Sequence, residues 1–176
     1  MPSIEKVLSG EGNSDAVVVD VVPGSMWRYS GGGYTIMEKL VEDLAEAPLE
    51  VYFEQIVLQP LGMTNSRFDQ PLSTQYHSNT SAAYDHKGRL IEGLWHNYPE
   101  QAAAGFWSTP TDLAKYCIEI QEIAGGKADG ILSTETVQMM LSKHENDWGL
   151  GPGLSGSGDE LVFSHAGKNA GFSNQL

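Results

Sequence analysis

Three features of the chain predict a mixed α/β domain, helices combined with antiparallel sheet. Apolar residues recur at helical spacing in several separate windows, and shorter β-branched or aromatic runs bounded by turn residues read as strands. The third feature is size: 176 residues with no internal repeat and no clear linker fit one domain with a real core.

Taken in order, Ser3 caps a short helix that ends near Gly10. Residues 17–22 read as a strand interrupted only by Asp20. After the triplet Gly31-Gly32-Gly33 an amphipathic helix carries Ile36, Met37, Leu40, Val41 and Leu44 on its inward face, and Ala47-Pro48 stops it. Pro48 suits the first turn of a second helix with Leu49, Tyr52, Phe53, Ile56 and Val57 on one face, closed by Pro60-Leu61-Gly62-Met63. Residues 64–81 are polar and read as loop. Residues 82–91, turning at Asp85-His86-Lys87-Gly88, read as a β-hairpin. Thr109-Pro110-Thr111-Asp112 starts a helix with Leu113, Cys117 and Ile120 inward and Gly125-Gly126 as its exit. Ser133 starts another, carrying Val137, Met140 and Leu141. Residues 148–150 and 161–164 read as strands flanking a flexible run, residues 151–158.

Charge excludes some partners. With 23 acidic against 10 basic residues the formal net charge is −13, which leaves no basic footprint for nucleic acid or an anionic membrane surface. Much of the acid (Glu38, Glu42, Asp43, Glu46, Glu50, Glu54) falls on the two consecutive helices and reads as a solvated face. The single cysteine, Cys117, reads as a buried thiol and forms no internal disulfide. No signal peptide, membrane-length apolar span or lipidation motif is visible, and the compartment stays open.

Most motif-like strings fail on context. Gly151-Pro152-Gly153-Leu154-Ser155-Gly156 fits G-x-G-x-x-G but contains proline and runs into more Gly and Ser where a helix should begin. No G-x-S-x-G elbow occurs, and the five histidines form no metal-ligand spacing, so neither a metal nor an organic cofactor is implied. Ser164 and His165 are adjacent on an expected strand, point to opposite faces and cannot form a nucleophile–base pair. The stretch that stands out is Pro23-Gly24-Ser25-Met26-Trp27-Arg28-Tyr29-Ser30-Gly31, a Pro-Gly turn that delivers a phenol and a hydroxyl to a helix N-terminus. On its own Tyr29 reads as a packed aromatic, and His165 as a structural histidine.

A family resemblance changes that weighing. Tyr29-Ser30-Gly31, Pro60-Leu61-Gly62-Met63, the run from Ala104 through Trp107-Ser108-Thr109-Pro110-Thr111-Asp112 to Ala114, and His165-Ala166-Gly167 with Gly171-Phe172 occur in order along the chain. In this the chain resembles the serine β-lactamase, penicillin-binding protein and esterase superfamily, particularly its class C-like branch. The resemblance implies a β-lactamase/transpeptidase-like fold and cleavage of a small-molecule or peptide amide or ester through an acyl-serine. It implies that Tyr29 shuttles the proton and that His165-Ala166-Gly167 lies on the substrate-binding strand. Lys168 would offer its backbone N–H to the oxyanion, a donor worth roughly 3 kcal/mol. Gly31 and Gly167 would flank the substrate.

The departures are equally specific. The only S-x-x-K string, Ser3 to Lys6, lies 26 positions before Tyr29, much closer than in the family, and reads as a helix cap with surface charge. Without that lysine, only Arg28 and the helix terminus are at hand to favour a phenolate. Gly31 stands where many β-lactamases carry an asparagine, and His165 where they carry a lysine, which moves the reading toward an esterase or peptidase-like member. Trp27, Trp95, Trp107 and Tyr98 are candidates for an apolar acyl pocket, with core packing as the other use of each. Residues 1–176 thus read as a single partial domain, incomplete at both ends, with its nucleophile outside the chain. Unpaired sheet edges then predict a homo-oligomer or a complementing polypeptide. The competing reading is a non-catalytic binding remnant of the same fold.

Overall fold

The computed structural model describes residues 1–127 and 130–176. Among the described residues six α-helices precede two small antiparallel hairpins: α1 (Ile4–Ser9), α2 (Gly31–Ala45), α3 (Leu49–Phe53), α4 (Gln101–Ala104), α5 (Pro110–Ala124) and α6 (Thr134–Met140), then β1 (Gly153–Ser155), β2 (Val162–Ser164), β3 (Ala166–Asn169) and β4 (Phe172–Gln175). The helix boundaries follow local chemistry. Gly10 ends α1 in the left-handed region at φ 80°. The hydroxyls of Ser30, Thr109 and Ser133 accept the backbone N–H of Gly33, Asp112 and Thr136, capping α2, α5 and α6. Past Phe53, α3 continues as a π-helical turn, Glu54–Leu58.

Packing gathers around two centres. Leu72, Ala83 and Trp95 are buried with Tyr76, Ile91, Trp107 and Phe172 against them, joining the loops to the β3–β4 hairpin. Ile120, Ile123 and Val137 form the other centre, between α5 and α6, with Phe163 of β2 added. Asp112 ties α5 to the preceding loop. Its buried carboxylate accepts from the Asn65 N–H (2.8 Å) and the Ser66 hydroxyl (2.9 Å) and pairs with Lys115 (2.8 Å). Burial alone would raise its pKa, but Lys115 and these donors outweigh burial and hold it below the ordinary carboxylate range.

The structure corrects several expectations. Residues 17–22 form no strand: Val18, Val19 and Val22 are exposed, and β propensity without a neighbouring strand does not make a sheet. The glycine triplet lies inside α2 rather than before it. The Ser30 cap offsets part of its poor helix propensity, and Gly32 packs so near Val17 that an added Cβ would lie 2.9 Å from Val17 Cγ1. Residues 148–150 are not a strand either. The first strand falls instead in the expected flexible run, where buried Leu154 anchors β1 and pairs with Phe163. Residues 82–91 turn as predicted but pair only through the Tyr84–Leu90 bridge, and the polar stretch holds a 3-10 helix, Thr74–Asn79. His165 lies between β2 and β3 rather than on a strand with Ser164, and Cys117 is only partly buried.

The largest correction concerns α2. Of its expected inward residues Ile36, Met37, Leu40 and Leu44 are exposed, Leu40 at 55% and Leu44 at 78%, whereas Thr35 and Glu38 are each only 3% exposed. Glu38 therefore does not belong to a solvated acidic face. Its carboxylate accepts the Ala102 N–H at 2.7 Å, fastening α2 to α4.

Candidate active site

Tyr29 reaches the site because Ser30 is still extended, at φ −144° and ψ 108°, and the chain turns into α2 immediately afterwards. Ser30 spends its hydroxyl on that turn, accepting from Gly33 at 2.9 Å, so it acts as a cap. The adjacent Arg28 forms a two-pronged pair with Asp20, which compensates its charge beside Tyr29.

From the other end of the chain, the short link after β2 brings His165 alongside. The Tyr29 and His165 rings are 5.9 Å apart between centroids, tilted by 34°. Trp148 packs against both, at 6.2 Å from Tyr29 and 5.9 Å from His165, and Trp27 stacks on Trp148 at 5.2 Å. Sequence reasoning missed Trp148, because nothing in its local string distinguishes it from a core tryptophan.

The β3–β4 hairpin then sets the direction of the backbone. His165 and Leu176 exchange both backbone hydrogen bonds (2.9 and 3.4 Å), and the register continues as Ala166↔Gln175, Gly167↔Asn174 and Lys168↔Ser173. In an antiparallel ladder bonded and non-bonded pairs alternate, so Gly167 bonds to β4 while Ala166 and Lys168 turn their N–H and C=O groups to the free edge. Asn169 anchors the strand from behind, donating to the Ala104 carbonyl at 2.8 Å, and Tyr98 Oη accepts the Ala170 N–H at 3.1 Å.

A cleft of about 1470 Å³ opens along this edge, lined among others by Tyr29, Gly31, His165, Gly167 and Lys168. The sequence-predicted residues thus share one concavity. A Cβ on Gly31 would meet nothing within 4 Å, so the position is open, whereas one on Gly167 would touch the Asn174 amide at 2.7 Å. Lys168 forms no ion pair among the described residues. Ser3 lines a separate depression with Glu38 and Gln101, away from Tyr29. Ser108 lies in the cleft, but its hydroxyl bonds to Ser66 (2.8 Å), which bonds to Asp112. A carboxylate held below its ordinary range takes up no proton near neutrality, so this chain braces α5 and does not activate a serine. Burial pushes the Cys117 thiol up, which disfavours the thiolate. Of the tryptophans considered for an acyl pocket, Trp95 is core; Trp107 packs against the core and also lines the cleft, as Tyr98 does, and Trp27 stands at the cleft's aromatic margin.

Among the described residues no cluster of His, Cys, Asp or Glu is placed to hold a metal ion, and no helix is long and apolar enough to cross a membrane.

Comparison with known proteins places this architecture. The chain is 27% identical over 161 residues to a candidate D-alanyl-D-alanine carboxypeptidase of Escherichia coli (strain K12), an alignment covering 77% of this chain and 36% of that protein. The octameric penicillin-binding protein homologue from Pyrococcus abyssi superposes with a TM-score of 0.71 at 23% identity, over 98% of this chain and 40% of that one. The D-amino acid amidase from Ochrobactrum anthropi SV3 superposes with a TM-score of 0.66 at 20% identity, over 86% of this chain and 45% of that one. The chain therefore spans about a third of the curated relative's length and less than half of either solved structure. A family model described as Beta-lactamase matches residues 12–175, nearly the whole chain, and with the mixed helix-and-hairpin fold this makes it a member of the Beta-lactamase family of serine hydrolases.

Proposed function

We propose that this chain carries the tyrosine and substrate-strand side of an acyl-transfer site that cleaves an amide or ester, a β-lactam, a D-amino peptide or a carboxylic ester. The observation that carries the reading is the approach of Tyr29 to His165, 5.9 Å between rings, at the lip of a cleft along the free edge of β3. Substrate lies along that edge and pairs with Ala166 and Lys168, and the Lys168 N–H receives the oxyanion. Tyr29 relays the proton between the attacking serine and the leaving group. His165 orients the substrate's polar end. The acylated serine comes from outside this chain, since Ser30 caps a helix, Ser108 is braced, Ser3 faces another depression, and the other serines at the cleft, Ser14, Ser81 and Ser173, have no lysine or histidine side chain bonded to their hydroxyls among the described residues. The carboxypeptidase-type and amidase relatives support a D-configured amide over a phosphate or glycosidic bond.

The same lack of an activated serine favours a second reading, a domain that binds such ligands without turnover. The two separate in one experiment on the full-length protein, incubated with a fluorescent penicillin and with a p-nitrophenyl ester. Acyl transfer predicts covalent labelling or ester cleavage, with Tyr29→Phe slowing turnover by about 100-fold or more at unchanged thermal stability. Ligand binding with neither labelling nor cleavage would leave the non-catalytic domain as the correct reading. A homo-oligomer or a second polypeptide completing the cleft is part of this proposal, and sedimentation as a cooperative monomer counts against it.

A further inference from the structure

Four aromatic rings meet at the cleft margin and belong to neither packing centre. Trp27 and Trp148 stack at 5.2 Å with 26° between their planes, Trp148 meets His165 edge-on at 71°, and Tyr29 leans on both Trp148 and His165. Trp27 is 39% exposed and Tyr29 60%, so this aromatic surface stands in water. Side chains of this size dominate binding energetics when covered, and a contiguous exposed patch of them marks a contact surface. It is continuous with the acyl-transfer cleft, because Tyr29 and His165 belong to both.

Charge narrows the occupant. Aromatic faces also attract cations, but the Lys168 ammonium, in the same cleft and without an ion pair among the described residues, disfavours a second cationic group there. Asp20 pairs with Arg28, so the charge next to Trp27 is compensated, and among the described residues no cation stands over these four rings to hold an anion on them. A flat, neutral, apolar group fits what remains.

We propose that the Trp27–Trp148 stack is the subsite for an aromatic or broad apolar side chain of the substrate, next to the carbonyl that the β3 edge holds. The inference rests on the acyl-transfer reading for the position of that carbonyl, and a binding measurement tests it without any turnover. The chain is titrated calorimetrically with N-acetyl-D-phenylalanine and N-acetyl-D-alanine, which share amide and carboxylate and differ in the ring. The expected result is at least about tenfold tighter binding of the phenylalanine derivative. Trp27→Ala or Trp148→Ala should reduce that preference below about twofold, and Trp148→Phe, which keeps a ring, should retain most of it. Near-UV circular dichroism checks that each variant is folded; should Trp148→Ala unfold, the exposed Trp27→Ala and the conservative Trp148→Phe decide. Equal affinities in the parent chain, or a preference that survives at both positions, overturns the subsite and leaves the cleft intact. If neither ligand binds, the cleft reading itself fails and this inference with it.

Discussion

Gly171 and Gly31 put opposite demands on a side chain, although both belong to elements that frame the cleft. Gly171 turns the β3–β4 hairpin at φ 77°, a region that L-residues with a Cβ avoid. A Cβ there would also lie 2.6 Å from Ala83 Cβ and 2.7 Å from the Tyr84 N–H nitrogen, and Ala83 is fully buried beside Trp95. Gly171→Ala therefore combines backbone strain with overpacking, and its expected cost is about 2 kcal/mol or more. An unchanged urea midpoint would show that the hairpin does not rest on the Ala83 centre. Gly31 is the contrast: its backbone is helical, and a Cβ added there would find nothing within 4 Å. Gly31→Asn should leave stability within about 0.5 kcal/mol, which makes it a clean means of testing whether a side-chain amide at the helix start alters ligand affinity.

Helix α2 shows what periodicity conveys and what it omits. Spacing in the sequence locates the helix and identifies two faces, but a helical period does not say which face meets the protein. Here the polar face packs because its groups find partners: Glu38 accepts from Ala102, Glu42 accepts from the Leu49 N–H at 3.1 Å, and Thr35 donates to the Gly31 carbonyl at 3.1 Å. Those partners lie up to 64 positions away and leave no local signal. The capped starts of α5 and α6 were legible for the opposite reason, since Thr109 and Ser133 act on N–H groups three residues ahead. The strands were poorly legible because they are three or four residues long and owe their existence to cross-strand neighbours. Tyr29, His165 and Lys168 were placed in one site by resemblance alone; their composition carried no such information. The outward apolar stripe yields a direct expectation. Leu40→Gln should change stability by no more than about 0.5 kcal/mol, whereas Ile120→Ala, at a fully buried position, should cost about 2–5 kcal/mol. A large loss from Leu40→Gln in the isolated chain would mean that the stripe is already covered, by a second copy or by another part of the protein.

Across the whole molecule, a net charge of −13 makes every buried carboxylate a lever on stability. Glu38 is the one that titrates in an accessible range. Burial at the α2–α4 junction pushes its carboxyl up to about 7, against the opposing pull of the Ala102 and Gln101 N–H groups, and the nearby charges of Glu42 and Glu100 push the same way. Asp112, the other buried carboxylate, is shifted downward, so its stabilising contribution is lost only in acid well below this window. For Glu38 the sign is the reverse. The folded state still holds a proton that the unfolded chain has released above an ordinary value near 4.5, so this contribution to stability is complete below about 4.5, is lost progressively as pH rises from there to about 7, and is gone above it. The swing is at most about 3 kcal/mol for a shift of this size. Glu38→Gln keeps an oxygen to accept the Ala102 N–H but cannot ionise. Urea unfolding of both proteins at pH 5.5 and pH 8 isolates this group, because every other titration is common to the two and cancels in the difference. The stability of the variant relative to the parent should rise by about 2 kcal/mol between pH 5.5 and pH 8. A difference that stays constant with pH would show that Glu38 ionises in the folded protein as freely as in the unfolded chain, and that the α2–α4 junction is open to water.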